Sequence, residues 1–244
     1  MRNRIIPKIT LSRRYKTLPH DSYMMRLESS LIGHGMLAEG NKYLMDLAIR
    51  EMPEGGHVLE IGSYAGLSSV FMIWLIQKHQ REAQFVSCDP WIYEGYEDHT
   101  GRISPWMDGR NDVSRLNFMK YIKEGFMNAH KLFNEHNLPH TFELKSDEFF
   151  EFGRQRAVLK DIFGRESQLP YTFSFAYIDG DHSLEATRKD FENVDNHLLN
   201  SGFVLFDNSA DTTMGSTLFM TEMLENQRYK LVDKNPNYLF QKIA

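Results

Sequence analysis

Residues 57–68 read His-Val-Leu-Glu-Ile-Gly-Ser-Tyr-Ala-Gly-Leu-Ser, and the reading of this stretch decides the fold. Val58, Leu59 and Ile61 make an apolar run of strand length. Gly62 and Gly66 then permit a tight turn and a helix start at Leu67–Ser69, because glycine tolerates positive φ and lets a ligand approach the backbone. The free N–H groups of that helix end face the crevice above the strand. Strand, glycine turn and helix form the first unit of a doubly wound, nucleotide-binding sheet. An ordinary β–α turn carrying two glycines has the same local pattern.

The loop is not Gly-x-Gly-x-x-Gly. It runs Glu60-x-Gly62-x-Tyr64-x-Gly66-x-Ser68, and Tyr64 stands where a pyrophosphate-binding loop wants a glycine. S-adenosylmethionine carries no phosphate; its charges are a sulfonium, an amino group and a carboxylate. An acidic strand end, Glu60, suits such a partly cationic ligand better than a pyrophosphate. Gly62, Ser63, Tyr64, Gly66 and Ser68 are therefore the candidate cofactor loop.

The whole chain sets bounds on what surrounds this loop. Its 244 residues fit one α/β domain, residues 1–244, with decorations. A net charge of -5 leaves no global basic footprint, so no nucleic-acid partner is expected. The single cysteine, Cys88, excludes an internal disulfide framework and suits a reducing compartment. The basic N-terminus has no apolar run behind it, and the longest apolar run, Val70–Ile76, is too short to cross a bilayer. A cytoplasmic protein without a membrane partner is the expectation.

Residues 1–23 read as an arm, either a frayed terminus or a lid or dimer strap. Helices are expected over 24–38 and 42–52, so that residues 1–40 form an N-terminal arm or lid. The strand at 57–61 follows Gly55-Gly56, and Leu67–His79 is the next helix. Phe85–Cys88 is the second strand and ends in Asp89, about 30 residues after the first begins, a normal βαβ length. A carboxylate there accepts hydrogen bonds from both ribose hydroxyls of a nucleoside, or caps a loop. Residues 91–139 exceed a simple crossover and read as an insertion that contributes to the acceptor pocket. Trp91, Tyr93, Tyr96 and Trp106 in its first half suit ring stacking, and Asn117–His136 reads as helix.

Phe142–Lys145 is expected as the third strand, ending in Ser146-Asp147, whose small polar side chains suit an adenine edge. Helices are expected at 149–154 and 157–163. Phe173–Ile178 is the fourth strand, followed by Asp179-Gly180-Asp181-His182-Ser183 and a helix over 185–199. Phe203–Phe206 is the fifth and ends in Asp207-Asn208. A helix near 216–226 and strands at 229–232 and 238–241 close the sheet. The resulting fold class is α/β: a Rossmann-like, doubly wound, mostly parallel sheet with an antiparallel closing strand and helices on both faces.

Three oxygen donors at neighbouring strand ends, Asp179, Asp207 and Asn208, make a hard, partly filled coordination shell suited to Mg²⁺. Separate loop carboxylates are the plainer alternative. No histidine or cysteine cluster has zinc spacing. His182 lies three residues beyond Asp179, and a neutral imidazole can accept a proton, so it is a candidate base for an acceptor hydroxyl, or else a helix cap.

Together these residues resemble class I S-adenosylmethionine-dependent methyltransferases. Within that class they look like the metal-dependent O-methyltransferases, such as the catechol and caffeoyl-CoA enzymes and the macrocin-type sugar O-methyltransferases. Glu60 to Ser68 matches the family's first motif, Asp89 its ribose position and Ser146-Asp147 its adenine pair. Asp179, Asp207 and Asn208 match its metal set. The resemblance covers roughly residues 40–90 and 140–210. His182 falls where the catechol-type enzymes carry a catalytic lysine, which is a departure and points to the branch with Asp-Gly-Asp-His-Ser. The resemblance implies methyl transfer from S-adenosylmethionine to a hydroxyl of a small-molecule acceptor, with Mg²⁺ or another divalent ion. Asp179 touches both cofactor and metal, and His182 and Asp179 carry the chemistry; a homodimer is also implied. A metal-independent methyltransferase and a non-catalytic cofactor-binding module remain the alternatives.

Overall fold

The computed structural model describes residues 15–18, 37–92 and 114–244. In chain order these form α1 (Glu39–Glu51), β1 (His57–Ile61), α2 (Leu67–Lys78), β2 (Phe85–Cys88), α3 (Arg115–Phe133) and β3 (His140–Phe142). There follow α4 (Ser146–Arg154), β4 (Val158–Lys160), β5 (Glu166–Gln168), β6 (Phe173–Ile178) and α5 (Leu184–Asp195). The chain then forms β7 (Leu198–Phe206), α6 (Gly215–Glu225), β8 (Tyr229–Lys234) and β9 (Tyr238–Lys242).

Seven strands make the main sheet in the order β3-β2-β1-β6-β7-β9-β8. The first five run parallel, β9 lies antiparallel to β7, and β8 is antiparallel to β9. This is the doubly wound sheet with an antiparallel closing pair that the sequence leads one to expect. The central strands are apolar on both faces because helices cover both. Alternate residues feed two core layers. Val58, Phe175, Tyr177, Phe203 and Leu205 join α1, α2 and Ala129 of α3 on one face. Leu59, Ile61, Ala176, Ile178, Val204 and Phe206 join Phe149 of α4, Phe191 of α5 and Phe219 of α6 on the other.

Three expectations change. Residues 157–163 are not helical: β4 and β5 pair antiparallel as a hairpin. One side chain accounts for it. Asp161 accepts the N–H groups of Phe163 and Arg165, both at 2.9 Å, and so closes a turn where a helix would have to continue. Arg165 then reaches the carbonyls of Leu138 and Pro139 and ties the hairpin beside the edge strand β3. The third strand spans His140–Phe142 rather than 142–145. The strand expected at 203–206 begins at Leu198, and the expected turn at Ser201-Gly202, with Ser201 at φ 67°, lies inside it.

Of the expected arm, only residues 15–18 are described; the helix expected over 24–38 falls almost wholly outside the described residues. Lys16 lies against the turn before β9. Its N–H donates to Asn235 Oδ1 at 2.9 Å and its carbonyl accepts from Asn235 Nδ2 at 2.7 Å.

Glycine is required at position 62 for two reasons: its φ is +84°, and a Cβ there would overlap the backbone carbonyl of Asp179. Gly55 has a similar φ of +89° with open space around it. Gly55→Ala is therefore expected to cost about 1 kcal/mol in urea unfolding, the strain alone, and Gly62→Ala roughly twice that or more. Equal losses in the two variants would refute the close approach of the first loop to β6.

Candidate functional site

The parallel register sets the site. Cys88, Ile61, Ile178 and Phe206 stand level across the sheet as the last residues of β2, β1, β6 and β7. The ladder continues one residue further. The N–H groups of Asp89, Gly62, Asp179 and Asp207 donate to the carbonyls of Phe142, Cys88, Ile61 and Ile178, at 3.1, 3.0, 2.8 and 2.9 Å respectively. Three carboxylates thus emerge in one row, with a glycine gap between Asp89 and Asp179.

On the β1 side of the row, Asp89 fixes the glycine loop. Its Oδ2 accepts the N–H groups of Ser63 and Tyr64 at 2.8 and 3.0 Å, and its Oδ1 accepts that of Trp91 at 2.6 Å. Burial raises its pKa, and these backbone donors work against the rise. Tyr64 sits in the left-handed region at φ 44°, and its carbonyl accepts Trp91 Nε1 at 3.0 Å. Trp91 is buried, with its ring edge-on to Phe126 at 5.4 Å. Tyr93, Tyr96 and Trp106 lie outside the described residues.

Glu60 lies fully buried beneath the loop. Ser63 donates to its Oε2 at 2.9 Å, Ser69 donates to the same oxygen, and Oε1 has no hydrogen-bond partner among the described residues. Burial pushes its pKa up to about 7, against the nearby hydroxyls of Ser68, Ser69 and Ser63. The hydroxyls of the loop serines thus serve Glu60, while Gly66 at φ 92° caps α2. An acid of this kind, with one orphan oxygen below the loop, suits a ligand that brings a positive group.

At the end of β3, Ser146 donates to Asp190 and Asp147 accepts from Asn193 Nδ2 at 2.7 Å. These two begin α4, whose Phe149 packs with Val86, Cys88 and Phe142 of β2 and β3. Asp190 is buried, and burial pushes its pKa up to about 7.

On the β6–β7 side, Asp179, His182 and Asp207 bring ligand atoms within 4.8 Å of one another. His182 Nε2 lies 3.7 Å from Asp179 Oδ1, and both side chains are about a quarter exposed, at 25% and 28%. Asp207 is buried. Removal from bulk water and the adjoining Asp207 charge hold the Asp179 carboxyl well above the usual range. Among the described residues no lysine or arginine pairs with either carboxylate. Asn208 follows at φ 47°, its carbonyl accepting the hydroxyls of Ser216 at 3.1 Å and Thr217 at 3.3 Å. His182 does not cap α5; the Ser183 hydroxyl does, accepting the Ala186 N–H at 3.2 Å. Two carboxylates with no lysine or arginine partner among the described residues, beside an imidazole, fit a divalent cation.

Sequence reasoning missed three members of this group. Tyr177 is fully buried on β6, its hydroxyl at 3.2 Å from Asn41 Nδ2 and beside both carboxylates. Asn41 and Asn237 donate to Asp207 Oδ1 at 2.5 and 3.1 Å. No local pattern marks them, since they lie 166 and 30 residues from Asp207. The one available signal is that an asparagine inside an apolar helix face, such as Asn41 ahead of Leu44, needs a polar partner.

A family model described as a methyltransferase domain matches residues 59–209, more than half of the chain. No protein of curated function matches the sequence. Among solved structures, the chain is similar to the S-adenosylhomocysteine-bound methyltransferase PaMTH1 of Podospora anserina. That match has TM-score 0.57 and 12% identity, covering 99% of this chain and 98% of the other. The O-methyltransferase TomG of Streptomyces achromogenes, solved with S-adenosylmethionine, matches at TM-score 0.54 and 12% identity over 96% and 93%. The calicheamicin methyltransferase CalS11 matches at TM-score 0.54 and 16% identity over 92% and 94%. At such identities the likeness establishes the fold.

A raised folded-state pKa makes Glu60 favour folding when protonated. Its contribution is fully present below its ordinary value of 4.5 and is lost as pH rises toward about 7. Glu60→Gln mimics the protonated form. The variant is expected to gain stability on wild type between pH 5 and pH 8 by up to about 3 kcal/mol in urea unfolding. A pH-independent difference between the two proteins would show that Glu60 does not titrate as described.

Proposed function

The chain belongs to the methyltransferase-domain family, and from that premise we propose that it is an S-adenosylmethionine-dependent O-methyltransferase. On this reading the acceptor is a small hydroxylated molecule, and a divalent cation, Mg²⁺ by the hardness of the donors, is held by Asp179, Asp207 and Asn208. The observation that carries the proposal is the gathering of Asp179, Asp207 and His182 within 4.8 Å at two adjacent strand ends, with no lysine or arginine paired to either carboxylate among the described residues.

The cofactor lies over the row of strand ends. Glu60, Gly62, Ser63, Tyr64, Gly66 and Ser68 form its methionine side. Asp89 serves the ribose and Ser146-Asp147 the adenine. Asp89 has two roles here, since it also holds the loop backbone that the ligand must meet. TomG with S-adenosylmethionine and PaMTH1 with S-adenosylhomocysteine support this cofactor class.

When bound, the cation supplies positive charge that favours the ionised form of an acceptor hydroxyl. The chain's own residues do the rest. Asp179, Asp207 and Asn208 would hold that ion beside the acceptor's hydroxyl. His182 Nε2, 3.7 Å from Asp179 Oδ1, takes the hydroxyl proton. The freed oxygen forms a bond to the methyl carbon as the carbon–sulfur bond breaks, and the electron pair stays on sulfur as a neutral thioether. Much of the rate then comes from placing oxygen, methyl carbon and sulfur in line.

Methyl transfer to a panel of sugar, phenolic and polyol acceptors is expected to fail in excess EDTA and to return with Mg²⁺. Asp207→Ala is expected to lose it as well. His182→Gln is expected to lower kcat by about 10²–10⁴-fold while S-adenosylhomocysteine binding persists. Activity unchanged by EDTA would replace this reading with a metal-independent methyltransferase, and cofactor binding without turnover on any acceptor with a non-catalytic module.

A further inference from the structure

Asp207 is gripped by two carboxamides from opposite ends of the chain. Asn41 stands near the start of α1 and Asn237 lies just before β9, and both are buried. Their Nδ2 atoms reach the same oxygen of Asp207, Oδ1, at 2.5 and 3.1 Å. Asn237 Nδ2 also donates to Asn41 Oδ1 at 3.0 Å, and Asn41 Nδ2 to the Tyr177 hydroxyl at 3.2 Å.

The direction of this network is fixed rather than chosen. The backbone N–H of Ala210 can only donate, and it points at Asn237 Oδ1 at 3.3 Å. Asn237 must therefore turn its Nδ2 toward Asn41 and Asp207. Asn41 then accepts on Oδ1 and turns its own Nδ2 toward Asp207. The backbone holds both residues in place. A Cβ at Gly40 would overlap the Asn235 carbonyl, so α1 is seated directly on the 235–237 turn. Asn235 N–H donates to the Asn237 carbonyl at 2.9 Å, and Asn235 Nδ2 to the Gly40 carbonyl at 3.3 Å.

We propose that Asn41 and Asn237 are positioning residues for the cation site: by occupying Oδ1 of Asp207 they fix the carboxylate and leave Oδ2 as the oxygen that meets the ion. The proposal rests on the reading that Asp207 binds a cation. Neutral amides suit this task. They orient the carboxylate and satisfy one oxygen without cancelling the charge that attracts the ion, whereas a lysine or arginine would cancel it. Removing a group that holds a metal ligand in this way typically costs about 10–100-fold in metal affinity.

A merely structural role for the two asparagines would lower stability and leave ion binding alone, so the test reads both. Mn²⁺ binding and S-adenosylhomocysteine binding are measured by calorimetry, with thermal melts, for wild type, Asn41→Ala, Asn237→Ala and Asn235→Ala. Asn235→Ala is the control, because it disturbs the same turn without touching Asp207. Asn41→Ala and Asn237→Ala are expected to weaken Mn²⁺ by about 10-fold or more, with S-adenosylhomocysteine affinity held within about twofold. Asn235→Ala is expected to lower the melting temperature and keep the ion. Folded Asn41→Ala and Asn237→Ala proteins that bind Mn²⁺ like wild type would overturn the proposal, as would an equal loss in Asn235→Ala. If an alanine variant fails to fold, Asn41→Ser and Asn237→Ser, whose side chains are too short to reach Asp207, are read by the same criterion. Wild type that binds S-adenosylhomocysteine but no Mn²⁺ would remove the cation reading itself and the proposal with it.

Discussion

The in-register ladder across β2, β1, β6 and β7 is the constraint on which the rest of the structure depends. Because Cys88, Ile61, Ile178 and Phe206 end level, the next residues emerge side by side. A slip of one residue in any pair would turn an apolar side chain into the crevice and a carboxylate into the core. The two core layers prevent this. Ile61 and Ile178 are locked into the face under α4, α5 and α6, and Tyr177 into the face under α1 and α2. Hydrophobic packing thus sets the register, and the register sets the chemistry.

That arrangement has an electrostatic consequence. Two unit charges about 4 Å apart at an effective dielectric near 20 repel by roughly 4 kcal/mol, and the charge of Asp207, added to removal from water, opposes ionisation of Asp179. The structure answers in different ways along the row. Asp89 is balanced by three backbone N–H groups and Glu60 by serine hydroxyls. Asp179 and Asp207 receive hydroxyl and amide hydrogen bonds, but among the described residues no lysine or arginine pairs with either; the imidazole of His182 lies beside them. At the loop end Asp89 is satisfied by backbone, and Glu60 keeps one oxygen, Oε1, without a partner among the described residues.

How much of this was legible in the sequence follows from range. The central strands were legible because apolar runs such as Phe173–Ile178 end in Asp or Gly, and local composition carries that signal. The acidic strand ends were legible for the same reason, since each is the next residue along. The 157–163 segment was misread because its apolar spacing imitates a helix, while the Asp161 turn that breaks it depends on its side chain folding back on the backbone. Asn41, Tyr177 and Asn237 were invisible because their meaning lies in contacts across 30 to 196 residues, and an isolated asparagine or strand tyrosine carries no periodicity. Sequence shows which groups stand at strand ends. It does not show what stands behind them.

What stands behind them explains why the antiparallel closing pair belongs to the site and is more than an edge to the sheet. The turn between β8 and β9 places Asn235 and Asn237 on either side of one proline. One asparagine binds the backbone of Lys16 and Gly40, and the other binds Asn41 and Asp207. A single short turn therefore joins the N-terminal segment, the first described helix and the carboxylate of β7. Because the amides of Asn41 and Asn237 are neutral, they orient that carboxylate without cancelling its charge. The turn thus bears on this end of the crevice through geometry, by the one asparagine that touches Asp207, while Asn235 serves the packing of the chain around it.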